Sequence, residues 1–369
     1  MNKLLKRLGD LHQREFVLLT ANASTAIFCA LKALDLHKAK VAIPNSICFD
    51  VPLAIRMSGN FPVFVDIMPG NLGLSVAQLE KESLDAVIAV HAYGAVCDIK
   101  ALVSYCRRRQ IPLIEDFAVA QGGSAEGQPL GSFGDISVVS FGAGKIIDVG
   151  HGGALLTNSR ELYAECKKIV SKLPVSRRDE EVDELSRFHT CLYNEHYASG
   201  NINKYYKEFQ RRAESAFTAV LMQFDQKYGE AISRKLDVLE NTVNIRKERN
   251  AWFQNQFKGM ENTGLSIFNY PDGSVPWRCN FFIEVGRDKL LRKLLDANYK
   301  ISSWYPSVDL FFTDRGKVRS QTPVSDRIGD IILNTWVNED IDEKYMSSIS
   351  EQIYSNVCTS VEKSLQSQQ

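Results

Sequence analysis

Between residues 17 and 157 the chain alternates short, mostly apolar runs with longer amphipathic stretches. The apolar runs are Lys40–Ile43, Pro62–Asp66, Ala86–His91, Pro112–Asp116, Ile136–Phe141 and Ala154–Thr157. Their apolar residues are continuous rather than alternating, which is the pattern of strands buried on both faces, as in a parallel sheet covered by helices. The stretches between them, Ser24–Leu34, Phe49–Ser58, Ser75–Glu82 and Ile99–Arg109, have helical spacing. Repetition of strand and helix in that order predicts an open α/β sheet, with ligands expected at the edge where the strands' C-termini emerge.

The pattern changes near residue 160. Residues 171–215 are charged and aromatic with no strand signal, as in a helical insertion or a covering loop. Over 216–257, Phe217, Val220, Leu221, Phe224, Tyr228 and Ile232 recur at three- and four-residue spacing, which predicts one or two long helices. Further on, a strand is expected at Asn280–Val285 and a helix at Lys289–Ala297. The expected organisation is a large α/β domain over 1–235, with an insertion at about 171–212. A smaller α+β domain follows over 236–369, its polar tail fraying from about residue 359.

Composition narrows the function. The 369 residues carry 44 basic and 44 acidic side chains, a formal net charge of zero, which argues against a nucleic-acid or membrane surface. The run Arg107-Arg108-Arg109 fits the solvated C-terminal end of a helix. No stretch reaches the ~18 apolar residues of a membrane span, and the first residues lack the apolar centre of a secretory signal. The eight cysteines are scattered without a C-x-x-C pair. They read as reduced thiols of a cytoplasmic protein, and no His or Cys pair has the spacing of a metal site.

Three loops at the expected ligand edge carry the chemistry. The segment Thr20-Ala21-Asn22-Ala23-Ser24-Thr25-Ala26 opens a helix. Its small residues, hydroxyls and free backbone N–H groups suit a phosphate, although capping by Asn22 or Ser24 would need the same residues. Glu115-Asp116 ends an apolar strand, where a carboxylate needs a cationic partner such as a protonated ring nitrogen, or else serves as a loop cap. Lys145 follows a strand within Ser140-Phe141-Gly142-Ala143-Gly144-Lys145, ahead of Gly150-His151-Gly152-Gly153. This is not a phosphate-binding P-loop, because its glycine spacing differs and Ile146 follows the lysine. A phosphate cradle, an acid and a lysine are together the three requirements of pyridoxal 5′-phosphate (PLP). The lysine holds its aldehyde as a Schiff base, and the acid keeps its pyridine ring protonated as an electron sink.

These residues resemble the DegT/DnrJ/StrS aminotransferases, the sugar-aminotransferase branch of fold-type-I PLP enzymes. The resemblance is carried by Val90-His91-Ala92-Tyr93-Gly94 with Asp98, by PLIEDFAVAQG at Pro112–Gly122 and by Gly131-Ser132-Phe133-Gly134-Asp135. Ser140-Phe141 before Lys145 and Gly152-Gly153 before Thr157-Asn158 belong to the same set. It implies that Lys145 forms the Schiff base and shuttles a proton, and that Asp116 pairs with the ring nitrogen. Ala23, Ser24 and Ser140 would hold the phosphate. It further implies transfer of an amino group, usually from glutamate, to a nucleotide-linked keto-sugar for surface polysaccharide or related biosynthesis, in a homodimer with sites at the interface. Several positions depart from the family. Val119 replaces a Gln or His that touches the cofactor's phenolic oxygen, with Gln121 the substitute. Cys48 aligns with the ring-stacking aromatic, and Phe49 is its neighbour. His151 stands where an acid often precedes the double glycine, Arg211 or Arg212 matches an arginine before the long helix, and no matching Asn is found. His91 and Tyr93 could pack or act, and so could Trp304-Tyr305-Pro306. Elimination or dehydration on the same fold, or a non-catalytic ligand-binding relative, are the alternatives. The family's sugar dehydratases carry histidine in place of the lysine, so Lys145 separates this chain from them.

Overall fold

A computed structural model describes residues 1–175, 209, 213, 218, 220–312 and 319–366, with the side chains of 359–366 excepted. The expected sheet is present. Its strands are β1 (Phe16–Thr20), β2 (Lys40–Pro44), β3 (Phe61–Val65), β4 (Ala86–Val90), β5 (Leu113–Asp116), β8 (Ile136–Ser140) and β9 (Gly153–Thr157), after a two-stranded β6 (Ser124–Ala125) and β7 (Gln128–Pro129). The seven long strands run in the order β1-β9-β8-β5-β4-β2-β3. The sheet is mostly parallel. Only β9 is reversed, antiparallel to both β1 and β8.

Side-chain alternation sorts each strand onto two helical layers. Val41, Ile43, Ile88, Ile114, Val138 and Leu155 pack beneath α2 (Ala23–Ala33), α3 (Asp50–Met57) and, through Cys166 and Val170, α6 (Arg160–Val170). The alternate positions Ala42, Val87, Ala89, Leu113, Val139 and Leu156 meet α1 (Asn2–His12) and α5 (Ile99–Arg109), together with α7 (Gly229–Asp237) and the first half of α8 (Leu239–Gln256). Burial on both faces is why the strands read as continuous apolar runs. The Ser75–Glu82 stretch forms only one turn, α4 (Val76–Leu79), with no side-chain cap. Residues 226–228 form a 3-10 turn ahead of α7, and α7 and α8 supply the helices expected in the later part of 216–257. At the end of α5, Arg108 and Arg109 both pair with Glu80 on the surface.

A second, antiparallel sheet of β10 (Leu265–Ile267), β11 (Arg278–Ile283), β12 (Ile301–Ser302) and β13 (Ile332–Trp336) has the order β10-β11-β13-β12. It packs with α9 (Arg287–Asp296), α11 (Glu343–Gln366) and the far half of α8 through Phe253, Phe281, Leu291, Leu333, Ile349 and Ile353. Helix α10 (Pro323–Ile331) leads into β13. Thus α8 gives Leu239 and Val243 to the first core and Phe253 to the second.

The Gly94 turn after β4 also joins the two sheets. The Tyr93 hydroxyl shares a hydrogen bond with Ser46 Oγ (2.9 Å) and accepts the Tyr305 N–H (2.9 Å). Its carbonyl accepts from Trp277 N, while Val275 N donates to Gly94 O. At Gly94, φ is +87°, and a Cβ would lie 1.9 Å from the Val275 carbonyl oxygen, so only glycine fits this approach. His91 and Tyr93 are therefore packed residues: the His91 Nδ1 accepts the Cys97 N–H, which leaves Nε2 facing Glu115 at 3.4 Å.

Candidate active site

The three expected loops meet at one end of the large sheet. Thr20 closes β1, Ser140 closes β8, and Gly153 pairs with both. The crossing is tight. A Cβ on Gly153 would lie 2.4 Å from the Asn22 carbonyl carbon and 2.6 Å from the Ala23 nitrogen. The missing side chain lets the start of β9 touch the N-terminus of α2. Gly152 N donates to Ala21 O, and Phe141 N donates to Gly152 O, so the phosphate-type loop and the lysine loop are stitched together.

At the start of α2, the Asn22 side chain caps Thr25 N (2.8 Å) and donates to Val220 O (2.8 Å). The Thr25 hydroxyl donates to the same carbonyl at 2.9 Å. Both side chains thus face residue 220, which assigns the cap to Asn22 and removes the Thr25 hydroxyl from the anion-facing set. Ala23 contributes its N–H and Ser24 its buried hydroxyl at the positive end of the helix. Ser140 Oγ is buried and accepts the Gly142 N–H at 3.3 Å, which turns it toward the same loop.

The adjacent acids of β5 separate by alternation. Glu115 points away from the edge and accepts N–H bonds from Gly131, Phe133 and Gly134 and the Ser137 hydroxyl. Burial would raise its pKa, but His91 and those backbone donors outweigh burial and hold it below the usual carboxylate range. Its role is to fold the Gly131–Asp135 turn. Asp116 points to the edge, is 5% exposed and, among the described residues, accepts only the Ala118 N–H (2.9 Å). Burial raises its pKa, against Ala118 and the nearby Lys145 ammonium. A buried acid raised in this way lacks a full countercharge, and a protonated ring nitrogen would supply one.

Lys145 is half-buried in a loop held from several sides. Gln121 braces it at both ends: its Nε2 donates to Ser140 O (2.8 Å), and its Oε1 accepts Ile147 N (2.8 Å). That bracing is the structure's assignment for Gln121, leaving one amide hydrogen for a ligand. Asp148, which belongs to none of the sequence motifs, accepts from Gly144 N (2.7 Å) and Gly150 N (2.9 Å). Trp277 of the second sheet donates its indole N–H to Gly144 O at 2.6 Å. These bonds present Lys145 to a cavity of about 840 Å³ whose walls include Trp277, Arg278, Lys300, Trp304 and Arg246.

The departures from the family pattern fall around this site. Val119 is buried and apolar. Burial pushes the Cys48 thiol well up, with Asp50 adding and Lys145 opposing, so Cys48 lies within the lysine's field. Phe49 instead packs in an aromatic cluster with Phe209 and Trp304. His151 packs on Tyr228, its ring centroid 4.6 Å away. Arg211 and Arg212 lie outside the described residues, as does nearly all of the 171–212 insertion beyond residue 175. Among the described residues, no His, Cys, Asp or Glu cluster could hold a metal, and no helix is long and apolar enough to cross a membrane.

A family model for the DegT/DnrJ/EryC1/StrS aminotransferases matches residues 1–354. GDP-perosamine synthase from Escherichia coli O157:H7 is 31% identical over 170 residues, 45% of this chain and 47% of that protein. The dTDP-4-dehydro-2,3,6-trideoxy-D-glucose 4-aminotransferase of Saccharopolyspora spinosa is 32% identical over 159 residues, 42% of this chain and 41% of its own length. The chain thus spans about half the length of the curated relatives it matches. The fold is similar over much more of the chain. The crystal structure of DesI with its TDP-sugar product covers 100% of this chain and 87% of DesI, with a TM-score of 0.79 and 18% identity. NtdA of Bacillus subtilis with bound cofactor PMP covers 96% of this chain and 76% of NtdA, with a TM-score of 0.75 and 16% identity.

Proposed function

The chain belongs to the DegT/DnrJ/EryC1/StrS aminotransferase family, and from that premise we propose that it is a PLP-dependent aminotransferase. Its acceptor is a keto-sugar, nucleotide-linked, and its donor is an amino acid, with glutamate the first candidate. The same reading includes a cytoplasmic homodimer whose product enters surface polysaccharide or related sugar biosynthesis. The observation that carries the reading is the meeting of Asp116, the start of α2 and the Lys145 loop at one sheet edge, with Lys145 in the field of Asp116 and on the wall of a cavity.

The residues present fit the cofactor. Asp116 is a buried acid in need of a cation, and the start of α2 supplies anion-facing N–H and hydroxyl groups. When bound, PLP supplies an aldehyde that accepts the amino group and a protonated ring that withdraws electrons from the reacting carbon. Asp116 would place negative charge opposite the ring nitrogen and so keep a proton there. Ala23 N–H, Ser24 and Ser140 would hold the phosphate. Lys145 would hold the aldehyde through Nζ, and its amine would be the group placed to take a proton from the donor's α-carbon and to return one. Trp277 and Gln121 fix the loop that carries it, so Nζ is confined to the cavity wall. Elimination is the second reading. Amino transfer is preferred because Lys145 is a lysine with Asp116 beside it.

The named relatives act on GDP- and dTDP-linked sugars, so the test is a panel of GDP- and dTDP-linked 4-keto-deoxysugars incubated with the purified protein, PLP and L-glutamate. The expected outcome is an amino-sugar mass with an equal yield of 2-oxoglutarate. Loss of water from the sugar without 2-oxoglutarate would replace transfer by elimination.

A further inference from the structure

Arg246 lies in the middle of α8, is 4% exposed, and borders the cavity that also holds Lys145. Its Nη1 donates to the Trp277 carbonyl at 2.8 Å, and its Nε has no partner among the described residues. Burial lowers its pKa to about 10, with Glu339 and Asp148 opposing, so it stays a cation at neutral pH. A guanidinium that is buried and charged, with most of its donors unused by the described residues, is costly unless an anion completes it. Among the described residues no carboxylate is hydrogen-bonded to it. The next residue after its partner Trp277 is Arg278, another cation on the same wall. Arg278 is set between the Trp277 and Trp336 rings, 3.9 and 3.7 Å from their centroids, and its Nη1 donates to Ser302 Oγ and Asn334 Oδ1. Two fixed, planar guanidiniums joined through one tryptophan are suited to a planar anion.

We propose that Arg246, supported by Arg278, binds the carboxylate of the amino donor and sets specificity for an α-amino acid. Trp277 links the two places directly: its indole bonds the Gly144 carbonyl beside Lys145, and its own carbonyl bonds Arg246. An amino acid's carboxylate is one bond from the carbon that loses the amine, so it must sit close to Lys145. A nucleotide sugar's diphosphate is separated from the keto carbon by the sugar ring, which sets it farther from Lys145 than a donor carboxylate. This assignment rests on the aminotransferase reading.

The test titrates the PLP-loaded full-length protein with L-glutamate and follows the Schiff-base absorbance, in wild type and in Arg246→Gln. The variant should raise the apparent Kd for L-glutamate at least tenfold. The unliganded band, its borohydride trapping on Lys145 and the KM for a GDP-linked 4-keto-deoxysugar should not change. Arg246→Lys keeps the buried charge and loses the fork; it should also weaken L-glutamate, and it carries the test should the glutamine variant not fold. An unchanged Kd for L-glutamate in a folded variant overturns the assignment alone, and so does a rise confined to the sugar's KM, which would give Arg246 to the diphosphate. A wild-type protein without the band would overturn the underlying reading, and this assignment with it.

Discussion

Asp116 and Glu115 are neighbours in sequence with opposite fates, and the difference is the two-residue period of a strand. Glu115 is satisfied by four protein donors, while Asp116 keeps one N–H and a raised pKa. An acid whose folded pKa lies above its unfolded value favours folding most at low pH, and that contribution is lost as pH rises from the unfolded pKa through the folded one. At neutral pH that contribution is gone, so the cofactor-free protein is less stable for keeping this buried acid. Asp116→Asn should raise the melting temperature of the cofactor-free protein at pH 7, by a margin that disappears toward pH 4. It should lower turnover by two or more orders of magnitude, since the ring nitrogen loses its anion. Thermal melts at several pH values with and without PLP, set beside single-turnover rates, check both halves. A variant that melts lower than wild type at neutral pH would mean that Asp116 is a structural acid.

Elements place these residues, and the lysine loop is the most elaborately held. Gln121 ties Ser140 to Ile147, and Asp148 ties Gly144 to Gly150, so four short bonds close a turn that has no regular secondary structure. Gln121→Ala removes the two bonds that span the loop. It should raise the Kd for PLP about thirtyfold, in line with about 2 kcal/mol for two lost bonds, with a small loss of stability, as measured by absorbance titration and urea denaturation. Unchanged PLP affinity would show that the loop holds its shape without the brace. The strands are legible in the sequence because burial on both faces leaves continuous apolar runs, and Lys145 and Asp116 because each stands at the end of such a run. Other features are not. The reversal of β9 leaves no trace, since Ala154–Thr157 is as apolar as a parallel strand would be. Gln121 and Asp148 act through backbone partners that spacing does not reveal. Arg246 reads as one more charge on a long helix. Yet Thr242, Arg246 and Asn250 recur every four residues, and the fold buries all three, so their common spacing is the sequence's own sign of a polar stripe turned inward.

At the scale of the molecule the site is a joint product of the two sheets. The first supplies Asp116, Lys145 and the start of α2. The second supplies Trp277, Arg278 and Trp304, brought over the site by the glycine-only contact at Gly94 and the Tyr93 hydroxyl. Motifs with fixed spacing announce the first set. The second lies in a region of ordinary α+β pattern, where partners come together only through tertiary packing, so Trp304 reads equally as core or site. Lys145 unites both sets: it lies in the field of the buried Asp116 and lines one cavity with Trp277, Arg278 and Trp304. The most direct measurement is a visible spectrum of the full-length protein with PLP before and after borohydride, with the modified peptide identified by mass and Lys145→Ala treated in parallel. The expected result is a Schiff-base band that borohydride bleaches, a reduced pyridoxyl group on Lys145, and neither in a Lys145→Ala protein whose circular dichroism matches wild type. Trapping on another lysine, or an unchanged band in Lys145→Ala, would contradict it.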